Sequence, residues 1–254
     1  MQLEQTKLGY KQNAAQSQLK VTIANGRTRA YFIAKRAIDL VAASLVLLVA
    51  GIPMLIIAML IELETPGSAI FAQERVTARR KRIVNGKAEF EVVTFTCYKF
   101  RTMYKDASSD IHKAFIKAFI KNDAAAMAAI NGSENAEVKK IVKDARVTLI
   151  GKFLRKTSLD ELPQFINVLK GEMTLVGPRP CIPYEVEEYQ TWHKQRLQAV
   201  GGITGLWQVS ARSAADFDGM CQLDIDYIEQ RSLMTDIKLI LKTPIVMIFG
   251  RGGF

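Results

Sequence analysis

A chain of 254 residues is long enough for one sizeable core with attachments and too short for two full domains. Its 35 Lys and Arg against 25 Asp and Glu point to partners that carry negative charge, which leaves nucleic acid, anionic lipid and phosphorylated substrates in play. The three cysteines, Cys97, Cys181 and Cys221, are odd in number, far apart and without metal-ligand spacing; they argue against a disulfide framework or a zinc site and fit a reducing compartment. His112 and His193, the only histidines, stand in unrelated contexts and read as ordinary surface or core residues.

Residues 1–29 form a polar leader with no apolar run, so they are not a cleavable signal peptide. Residues 40–61 then pass without a charge, enough for a straight helix to cover the roughly 30 Å of a bilayer's hydrocarbon. Within that run lies Gly51-Ile52-Pro53, and a proline there removes the hydrogen bond to the Val49 carbonyl and predicts a kink or break. Basic residues flank both ends: Arg27, Arg29, Lys35 and Arg36 before, Arg75, Arg79, Arg80, Lys81 and Arg82 after. If basic flanks stay in the cytoplasm, both ends lie on one side and the segment, residues 30–62, re-enters through a bend near Pro53. A Pro-kinked spanning helix fits the residues equally well, and a buried soluble hairpin is a third reading.

The remainder, residues 63–254, reads as a cytosolic domain. Glu64-Thr65-Pro66-Gly67-Ser68 marks a turn, and residues 68–76 and 89–100 read as strands of a short antiparallel hairpin turned at Asn85-Gly86. Residues 110–130 predict one amphipathic helix, with Ile111, Ala114, Phe115, Ala118 and Phe119 on one stripe and Lys113, Lys117 and Lys121 beside it. Such a helix either lies in the lipid interface or packs on the protein's own core. Asn131-Gly132-Ser133 should end it, residues 138–142 start another short helix, and the apolar residues 237–249 suggest a second interfacial anchor. The fold class is therefore α+β, mostly helical with a small antiparallel sheet.

Chemistry concentrates between Arg146 and Arg212. In Arg155-Lys156-Thr157-Ser158-Leu159-Asp160-Glu161-Leu162-Pro163-Gln164, Ser158 and Glu161 have capping-box spacing, although Asp160 as N-cap would place Pro163 in the tolerant first turn. Either choice puts Asp160 and Glu161 at a helix start, whose positive end attracts phosphate. Adjacent acids beside Arg155 could hold Mg²⁺ against a diphosphate, with one carboxylate free to attack phosphorus. Gly171 is a plausible helix stop. Further on, Gly177-Pro178-Arg179-Pro180 stiffens the backbone around one guanidinium, and residues 201–212 combine flexible glycines with Gln208 and Arg212, the makings of an anion-closing loop. Lys99 and Arg101, in Tyr98-Lys99-Phe100-Arg101-Thr102-Met103, are either a phosphate clamp or solvated edge charges.

In order and wording these stretches resemble the bacterial sugar transferases, the monotopic polyprenyl-phosphate phosphoglycosyl transferases. The resemblance starts at Lys35-Arg36-Ala37-Ile38-Asp39, passes through Pro53 and residues 98–103, and is strongest at residues 155–164, 177–180 and 202–212. It leaves out the leader and residues 104–145, which look like a helical insertion. It implies a re-entrant helix-break-helix, a catalytic domain on the cytoplasmic face of the bacterial inner membrane, Asp160 as nucleophile and metal contact, Glu161 as its acidic partner and Mg²⁺ as cofactor. Arg155, Lys99, Arg101 and Arg212 would contact phosphate, and Pro178, Arg179 and Pro180 would match the nucleotide-side loop. The activity implied is transfer of a sugar 1-phosphate from a UDP-sugar to undecaprenyl phosphate through a covalent aspartyl intermediate, initiating surface polysaccharide or glycoconjugate synthesis. Membrane lipid is an expected partner, nucleic acid is not, and homo-oligomerisation stays open. Ile52 before Pro53 and Ala211 before Arg212 depart from common forms in relatives, which bears on sugar or acceptor preference. A non-catalytic membrane adaptor for anionic lipid or a protein partner is the competing reading, but it leaves Asp160-Glu161 beside Arg155 as coincidence.

Overall fold

The computed structural model describes residues 21–22, 28–84, 87–132, 141, 144–211 and 215–249. Asn85-Gly86, Arg212, most of the leader, most of residues 138–142 and the C-terminal five residues lie outside them. The long helix α1, Arg29–Glu64, is capped by the Thr28 side chain, which accepts from the Tyr31 N–H. The helix continues past Pro53, so one helix of 36 residues stands where two helices with a break were expected. A proline deletes its own donor and crowds the turn before it, and here the neighbouring turns keep the helix going on both sides. Among the described residues α1 is the one helix long and apolar enough to cross a membrane.

Its middle and its ends differ. Leu48, Ile52 and Leu55 are 81%, 73% and 73% exposed, whereas both ends are tied to the rest of the chain. At the first end Lys35 donates to the Val176 carbonyl and pairs with Asp236 at 2.9 Å, and Arg36 donates to the carbonyls of Val168 and Leu169. Asp39, buried, accepts from Thr174 Oγ1 and the Leu175 N–H. At the other end Glu64 accepts from the Ile150 N–H, and Ile61 shares a core with Ala69, Phe100 and Leu154.

Strands β2, Ile70–Val84, and β3, Lys87–Phe100, form the expected antiparallel hairpin, with β2 running eight residues past its predicted end. That tail is rich in Arg and Lys, poor strand formers by composition, and pairing with β3 overrides the propensity. A two-residue strand β1, Val21–Thr22, adds to the outer edge of β3. A second sheet that no sequence signal announced pairs β4, Thr174–Val176, in parallel with β5, Gly202–Thr204. Three-residue strands are too short to show periodicity.

The single helix expected over residues 110–130 is two: α2, Asp110–Ile120, and α3, Ala124–Asn131. Asn122 takes a left-handed φ of 52° and Asp123 caps α3 through Ala126 N–H, so two residues that favour turns outweigh the apolar period. Phe115, Ala118 and Phe119 are buried against Tyr189, Leu197 and Phe217, so α2 packs on the protein's own core. The chain continues through α4 (Leu149–Thr157), α5 (Gln164–Lys170), α6 (Pro183–Glu187), α7 (Leu206–Ser210), α8 (Phe217–Gln230) and α9 (Leu233–Phe249). Helix α9 runs through Pro244 and leaves Leu241 and Ile245 exposed.

Candidate active site

The acidic pair does not sit at a helix N-cap. Ser158 ends α4 in the left-handed region, φ 56°, and makes no side-chain cap bond, so the capping box read from its spacing with Glu161 is not formed. A residue whose backbone turns the chain out of one helix cannot also present the extended geometry that starts the next. Leu159–Glu161 instead form a single 3₁₀ turn, closed by Glu161 N–H to the Ser158 carbonyl at 3.2 Å, and Pro163 occupies the position just before α5. Gly171, at φ 79°, stops α5 as expected.

Asn167 sets this turn against the hairpin. Fully buried on α5, it accepts from the Tyr98 N–H at 3.1 Å and donates to the Thr96 carbonyl at 2.7 Å, so α5 docks on β3 next to Lys99. The Lys99 ammonium then meets Glu161 Oε1 at 2.7 Å. Arg179 reaches the same oxygen at 3.3 Å from the loop after β4. That loop is held close to β5 because Gly177 and Gly202 lack side chains: a Cβ on Gly202 would lie 2.1 Å from the Gly177 nitrogen. Pro180 presents its carbonyl to Arg75 at 3.0 Å. Arg155, on the last turn of α4, donates to Thr102 Oγ1 at 2.9 Å and lies within electrostatic reach of Asp160.

A small cleft is lined by Arg75, Cys97, Lys99, Gln164, Arg179 and Gly202 together with Pro180. Its electrostatics separate the two acids. For Glu161, burial pushes the carboxyl up, but Lys99 and Arg179 outweigh it and hold the group down at about 2. Asp160 goes the other way: burial raises it, the neighbouring Glu161 charge adds to the rise, and Lys99, Arg155 and Arg179 oppose. Glu161 is thus a spoken-for anion, while no hydrogen bond or ion pair among the described residues engages the Asp160 carboxylate. Adjacent acids with their proton affinities pushed apart, one fixed by cations and one left unbonded, suit a nucleophile or metal contact beside a fixed countercharge.

Of the other residues singled out from sequence, Arg101 does something different. All its N–H groups are taken up by the turn after α1: Nε donates to Ser68, one terminal nitrogen to Thr65 Oγ1 and Pro66, the other to the Thr65 and Gly67 carbonyls. It is a buried brace, with no donor left for a phosphate. Arg212 lies outside the described residues. Trp207 is 4% exposed and belongs to the core. Arg75 was missed as a site residue, because in the sequence it counts only as a basic flank of the apolar run; Gln164, within the motif, also lines the cleft. The insertion comes near through His112, whose Nδ1 is 2.6 Å from the Tyr184 hydroxyl; burial, then Arg75, Arg146 and Arg155, push it down to about 4.

No group of three or more His, Cys, Asp and Glu side chains that could hold a metal occurs among the described residues. A magnesium site does not require one, since Mg²⁺ is commonly bound by one or two carboxylates together with substrate phosphates and water. The unengaged Asp160 carboxylate fits that donor set.

Residues 30–250 match the bacterial sugar transferase family. Among curated relatives, galactosyl transferase CpsE of Streptococcus agalactiae is 42% identical over 224 residues, which cover 88% of this chain and 44% of the relative. Undecaprenyl-phosphate galactose phosphotransferase of Salmonella typhimurium is 36% identical over 220 residues, covering 87% and 41%. The exopolysaccharide production protein ExoY of Sinorhizobium fredii is 33% identical over 222 residues, covering 87% and 88%. The chain thus spans less than half the length of the first two and most of the third. With that extent of match, and the motif residues gathered around one cleft, the chain belongs to the bacterial sugar transferase family.

Proposed function

We propose that this chain moves a sugar 1-phosphate from a UDP-sugar to undecaprenyl phosphate and that Asp160 carries the sugar phosphate between the two. The observation that carries the reading is the divided acidic pair: Glu161 is tied to Lys99 and Arg179, two cations that line the cleft, and its neighbour Asp160 has no hydrogen bond or ion pair to its carboxylate among the described residues. Names of relatives agree, among them a UDP-glucose:undecaprenyl-phosphate glucose-1-phosphate transferase of Caulobacter vibrioides, 34% identical.

In the first displacement an Asp160 oxygen attacks the phosphorus bearing the sugar, and the bond from that phosphorus to the bridging oxygen breaks. UMP leaves with the electron pair. In the second, a phosphate oxygen of undecaprenyl phosphate attacks the same phosphorus, the acyl phosphate bond breaks and the Asp160 carboxylate is restored. Arg155, Lys99 and Arg179 stabilise charge on the transferring phosphoryl group, as fixed cations do best in a partly water-free cleft. Asp160 and the donor's two phosphates would hold Mg²⁺, which when bound offsets diphosphate charge. Glu161 does not compete for it while Lys99 and Arg179 occupy it.

The exposed apolar middle of α1 favours membrane insertion, and its two anchored ends favour a dip over a crossing. Phe32 packs on Phe90 with ring centroids 6.4 Å apart, and Ile61 shares a core with Phe100. Ten strand residues separate Phe90 from Phe100, roughly 33 Å, against roughly 44 Å for a straight helix from Phe32 to Ile61. The mismatch favours a helix bent at Pro53, with both ends and the cleft on the cytoplasmic side of the inner membrane.

The test is incubation of the purified chain with a panel of UDP-sugars and Mg²⁺, with and without undecaprenyl phosphate. UMP should appear in a burst without acceptor, and mass spectrometry should find sugar phosphate on Asp160. UMP release that needs both substrates at once, with Asp160→Asn near normal, would remove the aspartyl mechanism; no release with any donor would leave a membrane adaptor.

A further inference from the structure

The acidic pair does not use up the cationic surface. A second cavity, about 220 Å³, lies beside the first turns of α1 and shares no lining residue with the first. Five cationic side chains and one carboxylate line it, along with the rings of Phe32 and Phe90. Some of these groups are committed elsewhere. Asp39 accepts from Thr174 and Leu175, Lys35 is paired with Asp236, and Arg36 donates to the carbonyls of Val168 and Leu169.

Arg79 and Arg80 stand apart from them. Both are exposed, and neither has a carboxylate within ion-pair distance among the described residues. The Arg80 guanidinium lies 4.3 Å from the centre of the Phe32 ring. Partial burial of its guanidinium, and then the like charge of Arg29, push Arg80 down from its ordinary value. Successive strand residues normally face opposite ways, but pairing slips between Arg80 and Arg82, and a bulge of that kind bends and twists a strand. Both arginines line the one cavity.

An anion would complete this cavity, and its surroundings say what is attached to the anion. Ile33 and Leu40, three residues before and four after the lining residue Arg36 and so its neighbours on the surface of α1, are both exposed. A free phosphate would answer the charge and leave both bare. We propose that the cavity holds the phosphate of an anionic phospholipid headgroup between Arg79 and Arg80, with its acyl chains along Ile33 and Leu40. The site is about four strand residues, roughly 13 Å, from Arg75 at the cleft, so the lipid is a structural ligand and not the acceptor. Basic pockets at the cytoplasmic end of membrane helices bind such headgroups, and each arginine near an anionic surface multiplies affinity several-fold.

This inference rests on the membrane reading of α1, and its test separates the two. The full chain, as wild type, R79Q/R80Q and R79K/R80K, is placed in nanodiscs of phosphatidylcholine with a minor fraction of phosphatidylglycerol, and the lipids retained on release into neutral detergent are counted by native mass spectrometry. Wild type should retain phosphatidylglycerol over phosphatidylcholine, R79Q/R80Q should lose that preference by about tenfold or more, and R79K/R80K should keep most of it. Thermal midpoints in detergent report whether each variant is folded. Enrichment that survives R79Q/R80Q, or no enrichment in the wild type, overturns the proposal. So does equal thermal protection by inorganic phosphate alone, which would assign the cavity to a free phosphate. A chain that does not enter phosphatidylcholine bilayers overturns the membrane reading and this one with it.

Discussion

Two clusters of charge lie partly inside this protein, and they are finished to different degrees. On the helical side, Arg196 donates to Asp224 at 3.0 and 2.6 Å and to the Tyr189 hydroxyl at 3.1 Å, with both charged side chains all but sealed from solvent. His193 adds a hydrogen-bonded contact to the half-exposed Asp218 at 2.9 Å next to it. At the cleft, Lys99 and Arg179 close on Glu161, while no hydrogen bond or ion pair among the described residues engages Asp160. The Arg196–Asp224 pair is sealed inside the fold with no room for a ligand, even though Asp224 Oδ1 has no hydrogen-bond partner among the described residues, and breaking it strands a buried charge. An incomplete set has the reverse character: it contributes little to holding the fold and keeps an open place for charge that arrives with a substrate.

This contrast is broken most sharply at Asp160. Asp160→Asn should lower UMP release by at least about 10³-fold and leave the thermal midpoint unchanged or slightly raised, because an amide relieves a half-buried acid already pushed toward its neutral form. A large fall in the midpoint would make Asp160 a structural residue. On the finished side, Asp224→Ala should cost about 3–5 kcal/mol in denaturant unfolding, and the paired change R196M/D224L much less. Near-neutral behaviour of Asp224→Ala would erase the distinction between the clusters.

Two pH profiles sharpen it. The Glu161 carboxyl is lowered from 4.5 to about 2, so its contribution to stability is present above 4.5 and lost as pH falls through that window. Wild type should therefore lose stability more steeply than Glu161→Gln there, as read by thermal midpoints across an acid series. His112 is lowered from 6.5 to about 4, so the unfolded chain takes up its proton first and stability falls as pH drops between those values. His112→Gln should flatten that slope, and an unchanged slope would place its cause elsewhere.

Legibility in the sequence followed the length of the physical signal. The apolar run of α1 and the hairpin were readable because many residues repeat one instruction, and Gly171 because a left-handed helix stop favours glycine. The acidic motif was readable as a string; its geometry was not. Ser158 and Glu161 carry cap spacing, yet Ser158 turns left-handed and the pair rides on a 3₁₀ turn. Arg101 and Lys99 are two positions apart on one strand end, and nothing local says that one meets Glu161 while the other is consumed by carbonyls of residues 65–68. Those partners are brought in by chain folding over 62 and 36 residues, beyond the reach of any window. The parallel β4–β5 pair was hidden for the same reason.

The double attachment of α1 sets a rule of phase. Lys35 at one end and Glu64 at the other are locked to Asp236 and Ile150, and the helix between them behaves as a screw of fixed thread. Adding or removing a single residue between the locks turns one relative to the other by about 100° and shifts it by about 1.5 Å, so one lock must open. A whole turn restores the phase but adds about 5.4 Å of length, which the helix must bow outward to absorb if both locks are to stay closed. The exposed apolar surface of this helix can therefore be rewritten almost freely in composition, while its residue count is bound to the domain that grips both its ends.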